Sequence, residues 1–109
     1  MNQITLLIVD DHPLFRQGVI DALSLEPDMR IIAQSATGDE ALEMIRTKKP
    51  TIAVLDVNLP GINGQQITHQ VSQDKLPTRI ILMTGYDDLE QAIHAALAGA
   101  HGYCSKDIQ

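Results

Sequence analysis

Residues 4–23 read ITLLIVDDHPLFRQGVIDAL, and the order of chemistry along them decides the fold. An almost wholly apolar run, Ile4 to Val9, stops at Asp10-Asp11. Pro13 follows, preorganised for a first helical position, and Leu14, Val19, Ala22 and Leu23 then repeat on one helical face. A run this short and apolar on both faces suits a strand of a parallel sheet covered on two sides. The same strand-then-helix unit recurs outward from it. TIAVL at 51–55 stops at Asp56, RIILM at 79–83 stops at Thr84, and GYCS at 102–105 stops at Lys106. MRIIAQSA at 29–36 is half apolar and suits an edge strand.

Helix signals fill the gaps. Thr37–Glu40 has the T-x-x-E form of a capping box and leads into Ala41, Leu42 and Ile45. Gly64–Val71 offers a narrower apolar face, Ile67 and Val71. Asp87-Asp88-Leu89-Glu90 resembles another cap, opening a helix through Ala92, Ile93, Ala96 and Leu97 that Gly99 closes. Five strands alternating with four helices predict a parallel sheet with right-handed crossovers, a doubly wound α/β domain.

Composition narrows the function. A chain of 109 residues holds one domain with a real core. Lys and Arg number 8 against 14 Asp and Glu, a net charge of -6, which argues against a nucleic-acid surface on this segment. The single cysteine, Cys104, excludes an internal disulfide and fits a reducing compartment. No apolar run approaches a membrane span, and MNQITLLIVDD lacks the basic start of a signal peptide. The expectation is a soluble, cytoplasmic domain without membrane contact.

In open parallel sheets, ligands bind beyond the carboxyl ends of the strands. Asp10, Asp11, Asp56, Thr84 and Lys106 all terminate apolar runs, so all are expected on that one edge. Acids after a strand often only cap the next helix, and a lone Thr or Lys there means nothing. Five such residues on one edge are harder to dismiss. Clustered carboxylates repel one another unless a cation is bound, and oxygen ligands suit Mg²⁺. Zinc does not fit, because His12, His69, His94 and His101 are scattered and no Cys/His cluster exists. Lys106 supplies a charge for an anion and Thr84 a hydrogen-bond donor. The set describes phosphoryl transfer to a carboxylate. Asp56 is the best nucleophile, standing alone on a central run while Asp10-Asp11 form the metal-holding pair.

The chain resembles, over essentially its whole length, the receiver domain of two-component response regulators. Asp10-Asp11, Asp56, the D-x-x-x-P-G-x-x-G stretch Asp56–Gly64, Thr84 and the Gly102-Tyr103-x-x-Lys106 ending carry the resemblance. DDHPLFRQGV and GAHGYCSKD are similar to the NarL/FixJ-type branch, whose members usually carry a LuxR-type helix-turn-helix after the receiver. The resemblance implies a flavodoxin-like, three-layer αβα fold with strand order 2-1-3-4-5. It implies a receiver over residues 1–109 that accepts a phosphoryl group on Asp56 from a sensor histidine kinase. Asp11 and Asp56 would ligate Mg²⁺ directly, Asp10 through water, and the Asn58 backbone carbonyl would complete the protein ligands. Thr84 and Lys106 would hold phosphoryl oxygens, and Tyr103 would rotate inward as Thr84 moves. The Tyr103 ring also has a plain reading as a half-buried sheet aromatic.

Such a protein is a switch, with no enzymatic role beyond self-phosphotransfer and slow autodephosphorylation. Its output would be a DNA-binding transcription regulator whose output domain lies outside this chain, and receiver homodimers fit the family. Receivers normally add a fifth helix, and Asp107-Ile108-Gln109 is too short to form one, so the domain reads as C-terminally short. A stand-alone receiver acting by protein contact is the alternative. A Mg²⁺-dependent phosphatase fits less well, since Asp10-Asp11-His12 departs from the D-x-D that such enzymes place after the first strand.

Overall fold

The computed structural model describes residues 3–56 and 59–83, Leu89 and Ile93, and the backbone of Gly102–Cys104. Five strands, β1 (Ile4–Val9), β2 (Met29–Ser35), β3 (Ile52–Asp56), β4 (Arg79–Met83) and β5 (Gly102–Cys104), form one sheet in the order β2-β1-β3-β4-β5. Every adjacent pair is parallel. The first three crossovers run through α1 (Pro13–Leu23), α2 (Gly38–Lys48) and α3 (Gly64–Gln73). The expected fold class and strand order are thus present.

Alternation along each strand divides the core. Leu6, Ile8, Ile52, Val54 and Ile81 pack with Val19 and Leu23 of α1 on one face. Leu7, Val9, Ala53 and Leu55 pack with Ala41 and Ile45 of α2 and Ile67 and Val71 of α3 on the other. Strand order runs outward from β1 in both directions, so crossovers of one hand must put α1 opposite α2 and α3. Leu89 and Ile93, helical and buried, join the α1-side cluster. The single hand expected of the crossovers is met at α1, α2 and α3, and most of the segment expected to form a fourth helix between β4 and β5 lies outside the described residues. Residues 87–88 and 99, expected to bound that fourth helix, lie outside the described residues, as do 107–109.

Local chemistry explains the helix starts. Pro13 occupies the first turn of α1 behind His12, whose side chain makes no capping bond. At α2 only half of the expected capping box forms. Thr37 Oγ1 accepts from the Glu40 backbone N–H at 3.3 Å, but the Glu40 carboxylate accepts from the Ser35 hydroxyl at 3.1 Å instead of turning back. Ser35 Oγ has already taken the Thr37 N–H, leaving Glu40 nothing to cap there. The complete box lies at α3, where Asn63 and Gln66 exchange side-chain-to-backbone bonds at 3.0 and 2.9 Å. β2 is the half-buried edge expected of it, whereas the described interior of β3 is sealed on both faces.

Candidate functional site at the carboxyl edge of the sheet

β1 and β3 are neighbours, with Val9 paired to Leu55, so the residues that follow Val9 and Leu55 emerge side by side. Asp10 and Asp56 are those residues. The β1 chain is fixed from both sides as it leaves the sheet. The Asp10 N–H donates to the Ser35 carbonyl at 3.1 Å, and Arg16 Nη1 on α1 donates to the Asp10 carbonyl at 2.7 Å. Arg16 Nε is in turn held by Gln34 Oε1 at 2.9 Å. The guanidinium therefore fixes the backbone of the acidic edge through the Asp10 carbonyl.

One ligand atom from each of Asp10, Asp11, His12 and Asp56 lies within 4.8 Å of all the others. Asp10 is almost fully buried, Asp56 half-buried, and Asp11 exposed. Asp10 Oδ1 accepts from the His12 backbone N–H at 2.8 Å, and the His12 ring nitrogen Nδ1 stands 3.2 Å from that oxygen and 3.0 Å from Asp11 Oδ1. Burial pushes the Asp10 carboxyl above the ordinary carboxylate range. The hydrogen bond from the His12 N–H opposes this, and the Asp56 charge adds to the rise. Buried like charges under repulsion are the electrostatics a divalent cation relieves, and carboxylate oxygens are the donors a hard cation takes. The donor set fits Mg²⁺.

The loop after Asp56 is shaped by glycine. Gly61 adopts a φ of 73°, a left-handed conformation in the turn after Pro60. At Gly64, a Cβ would lie 2.7 Å from Leu82 Cδ2 and 3.3 Å from the Asp56 carbonyl oxygen, so a larger residue would push Leu82 aside and crowd the end of β3. The second half of the D-x-x-x-P-G-x-x-G stretch is thus closely packed beside the acid.

Among the expected site residues, the structure brings Asp10, Asp11 and Asp56 together. Asn58, Thr84 and Lys106 lie outside the described residues. Tyr103 lies in β5, paired with Leu82, and its side chain is also outside them. Two contributors went unrecognised in the sequence. His12, counted in the sequence only among scattered histidines, belongs to the cluster, and its signal was the unbroken Asp10-Asp11-His12 run of ligand-type residues. Arg16 carried no signal, because a helical arginine near a carbonyl reads as a solvated side chain.

The family model described as the response regulator receiver domain matches residues 6–109. Transcriptional regulatory protein NarL of Mycobacterium tuberculosis is 37% identical over 105 residues, 96% of this chain and 49% of that protein. The nitrate/nitrite response regulator protein NarL of Escherichia coli K12 is 31% identical over 105 residues, with the same two coverages. The chain thus spans about half the length of the curated relatives it matches. Among solved structures, the signal receiver domain of NarL from Mycobacterium tuberculosis superposes with a TM-score of 0.81 at 36% identity, covering 100% of this chain and 88% of that one. The response regulator domain of Thermotoga maritima CheB gives 0.76 at 28% identity, covering 97% and 80%. With the parallel sheet, its strand order and the carboxylate edge already in place, the match across residues 6–109 leaves one assignment: the chain belongs to the response regulator receiver domain family.

Proposed function

We propose that this domain, residues 1–109, is a phosphorylation switch in which Asp56 accepts a phosphoryl group from a phosphohistidine of a sensor kinase. The observation that carries the reading is the convergence of Asp10, Asp11 and Asp56 at the carboxyl end of β1 and β3. An oxygen of Asp56 bonds to phosphorus while the phosphorus–nitrogen bond breaks, and the electron pair returns to the departing imidazole. Asp56 suits the role because it is half-buried and reachable, whereas Asp10 is sealed at 1% exposure and serves to hold charge.

Asp11 and Asp56, with Asp10 and the Asn58 carbonyl, are the residues that would hold Mg²⁺. When bound, Mg²⁺ offsets the carboxylates and the roughly two negative charges that a phosphoryl group adds. Arg16 keeps the Asp10 backbone in place during this change. Lys106 pairs with one phosphoryl oxygen and Thr84 with another, and inward rotation of Tyr103 converts the shift at Thr84 into a new surface. The phosphoryl group need only contact one of two states better than the other to move the population.

Relatives named as transcriptional regulators extend to about twice this length. That supports a role, in the cytoplasm, as the switch of a DNA-binding regulator whose output domain lies outside this chain, with receiver dimerisation as one route to output. The domain performs self-phosphotransfer and slow autodephosphorylation and turns over no other substrate. Treatment with a small acyl phosphate tests the acceptor. Wild type gains one label and Asp56→Asn gains none, whereas equal labelling of the two overturns the assignment. Lys106→Ala is expected to keep the label and lose the change in amide exchange that follows it.

A further inference from the structure

We propose that Gly38, the first residue of α2, is a positioning residue for the phosphoacceptor pocket. Its missing side chain lets the chain that leaves Asp56 lie directly on the first turn of α2. The inference rests on the receiver reading of Asp56 and deepens it by naming what holds that chain in place.

The neighbour of Gly38 is backbone. Gly38 is buried, and a Cβ there would overlap the Ile62 carbonyl oxygen and stand 2.8 Å from its carbonyl carbon. The tip of a flexible side chain could swing out of such a contact, but a planar peptide moves only with the chain on both sides of it. The next residue of α2 meets the same loop, since a Cβ on Gly61 would stand 3.3 Å from Asp39 Oδ2. Side chains secure the seat around this contact. Leu59 is buried and Ile62 half-buried in the core cluster that holds Ala41 and Leu42 of α2.

This seat begins three residues after Asp56, and Asn58, whose carbonyl is among the groups that would hold Mg²⁺, directly precedes Leu59. The same turn of α2 is tied to the other half of the pocket. Ser35 Oγ accepts the Thr37 N–H at 3.2 Å, and the Ser35 carbonyl accepts the Asp10 N–H at 3.1 Å. The start of α2 is therefore a bracket between the strand end that carries Asp10 and the loop that leaves Asp56. A side chain at position 38 would spread the bracket and shift one group of oxygens against the other. Mg²⁺ demands near-ideal octahedral geometry and tolerates such a shift poorly. Gly18, within α1, is the contrast, because a Cβ there would meet nothing within 4 Å. Alanine is the better helix former at either glycine, so helix propensity predicts a gain in stability from both substitutions. Only Gly38→Ala meets the loop.

Calorimetric titration of the whole chain with MgCl₂ tests this on wild type, Gly38→Ala and Gly18→Ala, with denaturant unfolding in chelator alongside. Gly38→Ala is expected to weaken Mg²⁺ about tenfold or more, and Gly18→Ala to stay within about twofold of wild type. With a small acyl phosphate, Gly38→Ala should still gain one label at saturating Mg²⁺, its half-point displaced by the same factor. A Gly38→Ala chain that loses stability but keeps its Mg²⁺ affinity makes Gly38 a packing residue only and overturns the proposal. If Gly38→Ala does not fold, Ile62→Gly decides, since it loosens the same seat from the loop side. About threefold or more weakening of Mg²⁺ sustains the proposal, and unchanged affinity overturns it. Equal Mg²⁺ binding by wild type and Gly38→Ala sinks this inference alone, whereas wild type that binds no Mg²⁺ sinks the receiver reading together with it.

Discussion

The two edges of the sheet solve the problem of polar groups at strand ends in opposite ways. At the amino ends of β1 and β3 neutral threonines pair with each other. Thr5 and Thr51 join through their hydroxyls at 3.0 Å, the Thr5 N–H donates to Thr51 Oγ1 at 3.2 Å, and the Thr51 N–H donates to Thr5 Oγ1 at 2.8 Å. Thr78, buried, donates to the Pro50 carbonyl at 2.6 Å. At the carboxyl edge, β1 and β3 end instead in carboxylates that repel one another around an imidazole. The same two strands thus carry a neutral, hydrogen-bonded end and an acidic one. Stability belongs to the first, and the second gathers like charge that a cation would relieve.

Breaking the amino edge should have the largest effect on folding. Thr51→Val removes the acceptor of the Thr5 N–H, and Thr78→Val strands the Pro50 carbonyl. Thr78→Val is expected to cost about 1–3 kcal/mol in denaturant unfolding, the cost of a buried polar group left unpaired, and Thr51→Val, whose pair is partly buried, about 1 kcal/mol. Neither should alter labelling of Asp56. Labelling that falls in proportion to the lost stability would show that the two edges are not separable.

Relaxing the carboxyl edge should act more weakly and with the opposite sign. Asp10→Asn keeps an oxygen for the His12 N–H and deletes the charge that burial and Asp56 disfavour. In chelator its melting temperature should exceed that of wild type, by less than the Thr51→Val loss. The sign of the pH dependence follows. The folded-state pKa of Asp10 is raised, so the folded protein binds this proton more tightly than the unfolded chain does. Wild type in chelator should therefore gain stability from this group as pH falls through the raised pKa, down to the ordinary carboxylate range. Asp10→Asn should lose that gain. An identical pH profile for the two proteins would remove Asp10 as the source of the tension.

The smallest effect is expected where charge is present but solvated. Arg46 and Asp74 pair at 3.0 Å, both substantially exposed, at the ends of α2 and α3. Arg46→Gln should leave the melting temperature unchanged, since exposed pairs are screened and contribute little. A clear loss there would mean that surface charge also matters away from the carboxyl edge.

This contrast was only half legible in the sequence. Strand ends were readable because an apolar run broken by Asp10-Asp11 or Asp56 marks both the element and its chemistry in adjacent letters. The order of the sheet came from the family resemblance, and the gathering of Asp10 with Asp56 from the rule that parallel strands present their ligand sites at their carboxyl ends. The amino-edge threonines were not readable, since Thr5 and Thr51 lie 46 residues apart and a threonine in or beside a strand is ordinary. Thr37 and Glu40 misled for a related reason. The local T-x-x-E pattern was present, but Ser35 competed for its partners. His12 was visible as a letter but its place beside Asp56 was not, because that proximity is set by strand pairing and not by sequence distance. Local patterns reveal elements and charges, and third partners decide which bonds form.

The central claim is that the charged edge is a single metal-dependent acceptor site with Asp56 at its reacting position. The most direct test is the intact mass of the chain after treatment with a small acyl phosphate, with Mg²⁺ and with chelator in parallel. One phosphoryl adduct that requires Mg²⁺ and is absent in Asp56→Asn is the predicted result. An adduct of equal yield in chelator, or one that survives Asp56→Asn, would contradict the account.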